Sequence, residues 1–177
     1  MAYALVSLGS AVQSVSGSAV SGLAFGQATV AGHLLICWWE GDGSATVAST
    51  PSGWTAAISG GATGTSCAAQ IFYKIAAGSD AVPSFGAISS SQQAVQLAEF
   101  SGNPASSPLD QTGTASSTTS TDTATAGATD AASNELLITT AGVFYSRATT
   151  DSTGSVTSNN ATITAAGNNA GASSVSH

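Results

Sequence analysis

Leu34-Leu35-Ile36-Cys37-Trp38-Trp39 is an unbroken apolar run, entered through Gly32-His33 and left through Glu40-Gly41-Asp42-Gly43. Its reading decides the fold. The run is apolar at every position, too short for a self-standing helix, and rich in residues that suit strands. It reads as a central strand buried on both faces. Successive side chains on a strand point to opposite faces, so Trp38 and Trp39 are expected on opposite sides of one sheet. Gly41-Asp42-Gly43 reads as the turn that ends the strand.

Strand signals recur on both sides of this run. Gly53 to Ile58 reads as a short strand closed by Gly60-Gly61. Ala68 to Ile75 alternates: Ile71, Tyr73 and Ile75 share one face, and Gln70, Phe72 and Lys74 share the other. Val82 to Ile88 reads as a weaker strand, with Pro83 suiting an edge. Gln93 to Phe100 alternates again and stops at Ser101-Gly102-Asn103-Pro104. No window carries an i, i+3, i+4 apolar pattern. Short strands separated by Gly-rich turns predict an all-β chain, an antiparallel β-sandwich of jelly-roll type. Tandem immunoglobulin-like units, the second incomplete, are the alternative. Leu35, Cys37, Trp38, Ile71, Tyr73, Val95, Leu97, Leu136 and Ile138 are the expected core.

The central run has an echo. Ala31-Gly32-His33-Leu34-Leu35-Ile36 resembles Ser133-Asn134-Glu135-Leu136-Leu137-Ile138, an offset of 102 residues between Ile36 and Ile138. Gly64-Thr65-Ser66-Cys67-Ala68 has a looser counterpart in Gly171 to Val175. The order holds along the half-chain and predicts one sandwich domain over residues 1–177, with pseudo-repeats at about 11–104 and 105–177. The Ser/Thr/Ala-rich stretch 105–134 reads as thin strands or as a surface segment. The second copy stops at His177 where its next strand should begin. That leaves three expectations: a longer natural chain, strands lent by a neighbouring subunit, or an accidental echo.

Composition narrows the function. The chain has 177 residues, of which 42% are hydrophobic and only 6% charged, far below the roughly one quarter common in soluble domains. Lys74 and Arg147 stand against nine acidic residues, for a net charge of −7. Nucleic-acid binding and docking to anionic lipid both draw on Lys and Arg, and are disfavoured. The longest apolar run, Val30 to Trp39, is about half the ~20 residues of a membrane-crossing helix. Residues 1–14 lack a positive n-region, so assembly in a cytoplasm is expected, with Cys37 and Cys67 reduced. A bridge between the two would need neighbouring strands.

Catalytic signatures are sparse. There is no G-x-S-x-G elbow. His33, just before the central strand, is expected to hold a backbone partner; a Cys67–His33 pair is the reactive alternative. Glu40 and Glu99 could be glycosidase carboxylates if a cleft lay between them. An inward Glu99 paired with Lys74 is the plainer expectation. Glu40-Gly41-Asp42-Gly43 lacks EF-hand spacing, and no Cys/His spacing suits zinc; no metal or cofactor is expected. Trp38, Trp39 and Trp54 are the candidate ligand-binding residues, as a sugar-stacking platform, with core packing as their simpler use.

The order of these pieces resembles a group of phage-encoded virion proteins and their prophage relatives. The resemblance is carried by Val12 to Gly17, Ala31 to Ile36, Gly53-Trp54-Thr55, Ile71-Phe72-Tyr73-Lys74, Ala98 to Gly102 with Pro108-Leu109-Asp110, and Asn134 to Ile138. It spans most of residues 11–140 and implies a jelly-roll or lectin-like sandwich on a capsid, tail or fibre. The absent C-terminal strands are its departure. The expected function is a non-enzymatic structural subunit of a bacteriophage particle, a head decoration, tail or fibre protein. It would be located in the virion, oligomerise with itself and contact other virion proteins, without nucleic acid or membrane insertion. A carbohydrate- or receptor-binding adhesin that recognises a host-surface glycan is the alternative; a hydrolase is a third.

Overall fold

The structure, a computed structural model, describes residues 3–14, 17–42, 48–59, 62–63, 67–88, 92–102, 108–109, 112, 136, 138, 163–164 and 175–176. Among these residues the chain is all-β and antiparallel, without helices. The strands are β1 (Ala4–Leu8), β2 (Val12–Gln13), β3 (Leu34–Asp42), β4 (Thr55–Ala56), β5 (Ala62–Thr63), β6 (Cys67–Ile75), β7 (Gln93–Ser101), β8 (Ile163–Thr164) and β9 (Val175–Ser176). The first seven make one sheet in the order β1-β7-β3-β6-β4. In it β2 also pairs with β7, and β5 with β6. Strands β8 and β9 pair with each other.

The central position of β3 follows from its apolar run. It is flanked by β6, from Leu34–Ile75 to Asp42–Cys67, and by β7, from Leu34–Phe100 to Gly41–Gln93. Both ladders are unbroken, so directly opposed residues share a face. One face carries Leu35, Cys37, Trp39, Phe72, Val95 and Leu97; the other carries Leu34, Ile36, Trp38, Ala98 and Phe100. The opposed tryptophans and the alternation of β6 are therefore as the sequence predicts. A sheet apolar on both faces needs two covers. The Trp39 face is covered by the two long connections. Val20, Leu23 and Phe25 come from the segment between β2 and β3, and Phe85 and Ile88 from that between β6 and β7. On the Trp38 face Leu5 and Leu8 of the edge strand β1 widen the apolar surface, and Tyr3 and, from the second half of the chain, Leu136 and Ile138 pack against it.

Several expectations change. Residues 82–88 form no strand. Pro83 cannot donate to a ladder, and Phe85 turns in, 3% exposed, with its ring 5.8 Å from that of Phe72. Strand β3 runs through Gly41 and Asp42 instead of turning there, because both pair with β6. The strand at Gly53 to Ile58 shrinks to Thr55–Ala56. Of the expected core, Leu35, Cys37, Trp38, Val95 and Leu97 are at most 1% exposed. Ile71, Tyr73, Leu136 and Ile138 are half-buried, all on the Trp38 face. The stretch 113–134 and the Gly171–Ser174 part of the second repeat lie outside the described residues.

Strand β1 carries no signal in the central pattern, yet it closes one edge. Leu5 pairs with Phe100 and Ser7 with Glu99, so Val6 is an extra residue. This bulge puts Leu5 and Leu8, an odd spacing apart, on the same face as Phe100 and Ala98. After it, Gly9 donates to the Leu97 carbonyl at 2.8 Å. A Cβ at Gly9 would stand 2.3 Å from the Ala24 carbonyl oxygen, so this close backbone approach requires glycine.

Candidate functional site

The chemistry-bearing side chains gather at one end of the sheet, where the chain enters β3 and leaves β6. The register accounts for this. Leu35 lies opposite both Lys74 and Glu99, so the only cation of β6 and the acid of β7 flank it on the Trp39 face. His33 immediately precedes β3. Its carbonyl accepts from Ala76 N–H at 2.8 Å, and Gly32 N–H donates to Ala76 O at 2.9 Å. These two bonds carry the β3–β6 ladder one step beyond the strands.

Glu99 is fully buried. Its Oε1 faces His33 Nδ1 at 2.7 Å and accepts from Val30 N–H at 2.8 Å. The His33 side chain is 21% exposed. The expectation that Glu99 points inward holds, but its partner is His33 rather than Lys74. Lys74 turns to Asp80, with Nζ 2.6 Å from Oδ1, and lies 6.0 Å above the Trp54 ring centre. Asp80 Oδ2 accepts from the Thr29 hydroxyl at 2.9 Å, Ala77 N–H at 3.0 Å and Gly78 N–H at 3.1 Å. Thr29 answers by accepting from Asp80 N–H at 2.7 Å. Burial pushes the Asp80 carboxyl up, but hydrogen bonds from Lys74, Thr29 and Gly78 and the Lys74 charge outweigh it, leaving the group below its ordinary value.

A carboxylate that orients an imidazole is one half of an acid–base relay. The other half is a nucleophile, and no hydroxyl or thiol of a described residue is hydrogen-bonded to the His33 ring. The Thr29 hydroxyl is held by Asp80. The arrangement as it stands orients groups and ties loops down.

The remaining candidates are kept apart. Glu40 and Glu99 lie on opposite faces, opposite Ala94 and Leu35 respectively, so they cannot flank one glycosidic bond. Cys67 pairs with Asp42, whereas His33 sits beyond the Leu34–Ile75 pair at the other end of β6, which precludes a Cys67–His33 pair. Cys37 is opposite Phe72, five positions along the ladder from the Asp42–Cys67 pair. At ~3.4 Å per residue that is ~17 Å, too far for a disulfide. Burial raises the Cys37 thiol well above its ordinary value and keeps it protonated. Trp38 packs on one face, 0% exposed; Trp39 and Trp54 pack on the other, at 0% and 8%. The three indoles therefore form no common platform. Among the described residues no three His, Cys, Asp or Glu side chains cluster to hold a metal ion.

One polar hub carries no motif that singles it out. Gln93, 1% exposed, accepts from Trp39 Nε1 at 2.9 Å and donates to Gly86 O at 2.8 Å and Ser18 O at 3.3 Å. Its backbone N–H donates to Ser14 Oγ, and its carbonyl accepts from Ser14 N–H. It pins both covering loops to the sheet. Comparison with protein-family models, curated proteins and solved structures returns no match to this chain.

Proposed function

We propose that the chain is a non-enzymatic structural subunit of a bacteriophage particle, a head decoration, tail or fibre protein that works through multivalent contact. The observation that carries this reading is where the charge lies. Of the charged residues whose side chains are described, Glu40 and Glu99 are buried, and Lys74 and Asp80 are paired with each other. The sheet's outer loops present Ala, Ser, Thr, Val and Gly, with Val30 48% and Val82 40% exposed. Such a surface offers hydroxyls and small apolar groups, suits contact with copies of itself or with other virion proteins, and gains strength by repetition.

The architecture that fits this role is a jelly-roll sandwich built from two related halves. Leu136 and Ile138, from the echo of Leu34-Leu35-Ile36, pack on the cluster that contains Leu34 and Ile36. A second layer laid over the first in this way would complete the slab. The adhesin alternative draws no support from the tryptophans, whose rings are occupied in packing.

The test is assembly. Light scattering and sedimentation on the full chain should give an oligomer that persists when salt is raised to about 1 M, because uncharged contacts are not screened. Mass spectrometry of purified particles should find the chain in fixed stoichiometry. A monodisperse monomer that binds glycans in an array overturns the proposal.

A further inference from the structure

We propose that residues 28–33 are an acid-released strap, latched across the end of the sheet by the Asp80 carboxylate, that opens locally on acidification while the sheet stays folded. The strap has almost no apolar anchor. Ala28, Val30, Ala31 and Gly32 are exposed, His33 is half-buried, and only Thr29 is buried, at 5%. What holds it is polar: Thr29 to Asp80, Thr29 O to Ser79 N–H at 2.9 Å, Val30 N–H and His33 to Glu99, and the two bonds to Ala76. Segments held by hydrogen bonds rather than apolar burial belong to the low end of local stability.

The latch depends on the Asp80 charge for a geometric reason. Both carboxylate oxygens already face donors: Oδ1 faces Lys74 Nζ, and Oδ2 faces the Thr29 hydroxyl and the Ala77 and Gly78 amides. A proton on the carboxylate removes the charge that strengthens the bonds from the Thr29 hydroxyl and the Ala77 and Gly78 amides, leaving ordinary bonds of roughly half the strength, and ends the ion pair with Lys74. The facing ionisable groups are Lys74 from β6, next to Asp80, and Glu99 from β7 with His33 at the strap's other anchor. The latch also holds strain. Ser79 has φ 53°, a left-handed conformation that is strained for a residue with a side chain, and its N–H is tied to Thr29 O. Release of Thr29 lets Ser79 relax, which favours opening. The backbone ladders that join β3 to β6 and to β7 use none of these side-chain contacts, so the three strands stay paired.

The experiment is amide exchange read by NMR on the full chain, at about pH 6 and about pH 2.5, on either side of the ordinary Asp range. Protection of Gly32 and Ser79 should fall at least about tenfold at the lower pH, a change that fits the loss of one or two such bonds. Phe72 and Leu97 should keep theirs. Asp80→Asn, whose amide N–H₂ meets the same donors, should reproduce the loss at about pH 6; Thr29→Val, which removes the hydroxyl and leaves the charge, should do so in part. Unchanged protection of Gly32 and Ser79 in acid overturns the proposal, and so does their loss only together with Phe72 and Leu97. Should Asp80→Asn fail to fold, Thr29→Val decides: wild-type protection of Gly32 and Ser79 at about pH 6 with the full loss still seen in acid would assign the release to Glu99 and overturn the proposal.

Discussion

Replacing Gln93 with Leu removes the pin that holds both covering loops and keeps the apolar bulk. The substitution orphans the indole N–H of Trp39, which is 0% exposed and can reach no water. Leaving a buried donor unmade costs about 1–3 kcal/mol. The carbonyls of Ser18 and Gly86 also lose their donor, but both residues retain solvent exposure and water can replace it, so they add little. The expected loss is thus about 1–3 kcal/mol, which at a slope of about 1–3 kcal/mol per molar urea moves the midpoint by roughly 1 M. Urea unfolding followed by far-ultraviolet circular dichroism reads it. The same change in a Trp39→Phe background, where the donor no longer exists, should cost less by a coupling of about 0.5–3 kcal/mol. Gln93→Glu should exceed Gln93→Leu, since a carboxylate there would face two carbonyl oxygens. Equal cost of Gln93→Leu in both backgrounds, or a loss under about 0.5 kcal/mol, refutes the claim that the Trp39–Gln93 bond carries this interaction.

Gly9→Ala should destabilise by about 1–3 kcal/mol in the same assay, because its Cβ meets backbone on two sides, the Ala24 and Leu97 carbonyls, that cannot rotate away. Cys37, tested in a Cys67→Ser chain, should resist a thiol reagent until denaturant is added; its raised value also means stability is lost as pH climbs past the ordinary 9.0, where only the unfolded thiol ionises. For Asp80 the sign is opposite. Its folded value is depressed, so its contribution is present above the ordinary 3.8 and fades as pH falls below it; unfolding midpoints should drop on that limb, and less so in Asp80→Asn. His33→Ala should cost about 1.5–3 kcal/mol by removing a hydrogen bond to a fully buried carboxyl group, whereas Glu99→Gln, which keeps an acceptor for Val30 N–H, should cost less; thermal denaturation compares the two.

Strand identity was legible wherever period-2 alternation or an unbroken apolar run was strong. The Leu34–Trp39 run, the faces of Ile71 to Lys74 and the burial of Val95 and Leu97 followed from side-chain spacing alone, because a pleated backbone leaves no other choice. Weak or unusual segments carry no such signal. Phe85 sits in a Pro-containing stretch that resembles an edge strand, but its ring fills the Trp39 face, which no local pattern could reveal. Strand β1 was hidden because its bulge breaks the alternation that marks a strand.

For the site, the sequence determined that His33 and Glu99 would sit at strand ends and that Glu99 would face inward, since both follow from position within an alternating segment. Which acid meets which base was decided only by tertiary structure. Lys74 and Glu99 flank Leu35 as neighbours on one face, yet the loops returning from β2 and β6 bring His33 to one and Asp80 to the other. Pairing depends on how non-local segments cross the sheet end, and those segments are anchored by apolar burial of Phe25 and Phe85 in the cluster on the Trp39 face, not by the spacing of the charged residues themselves.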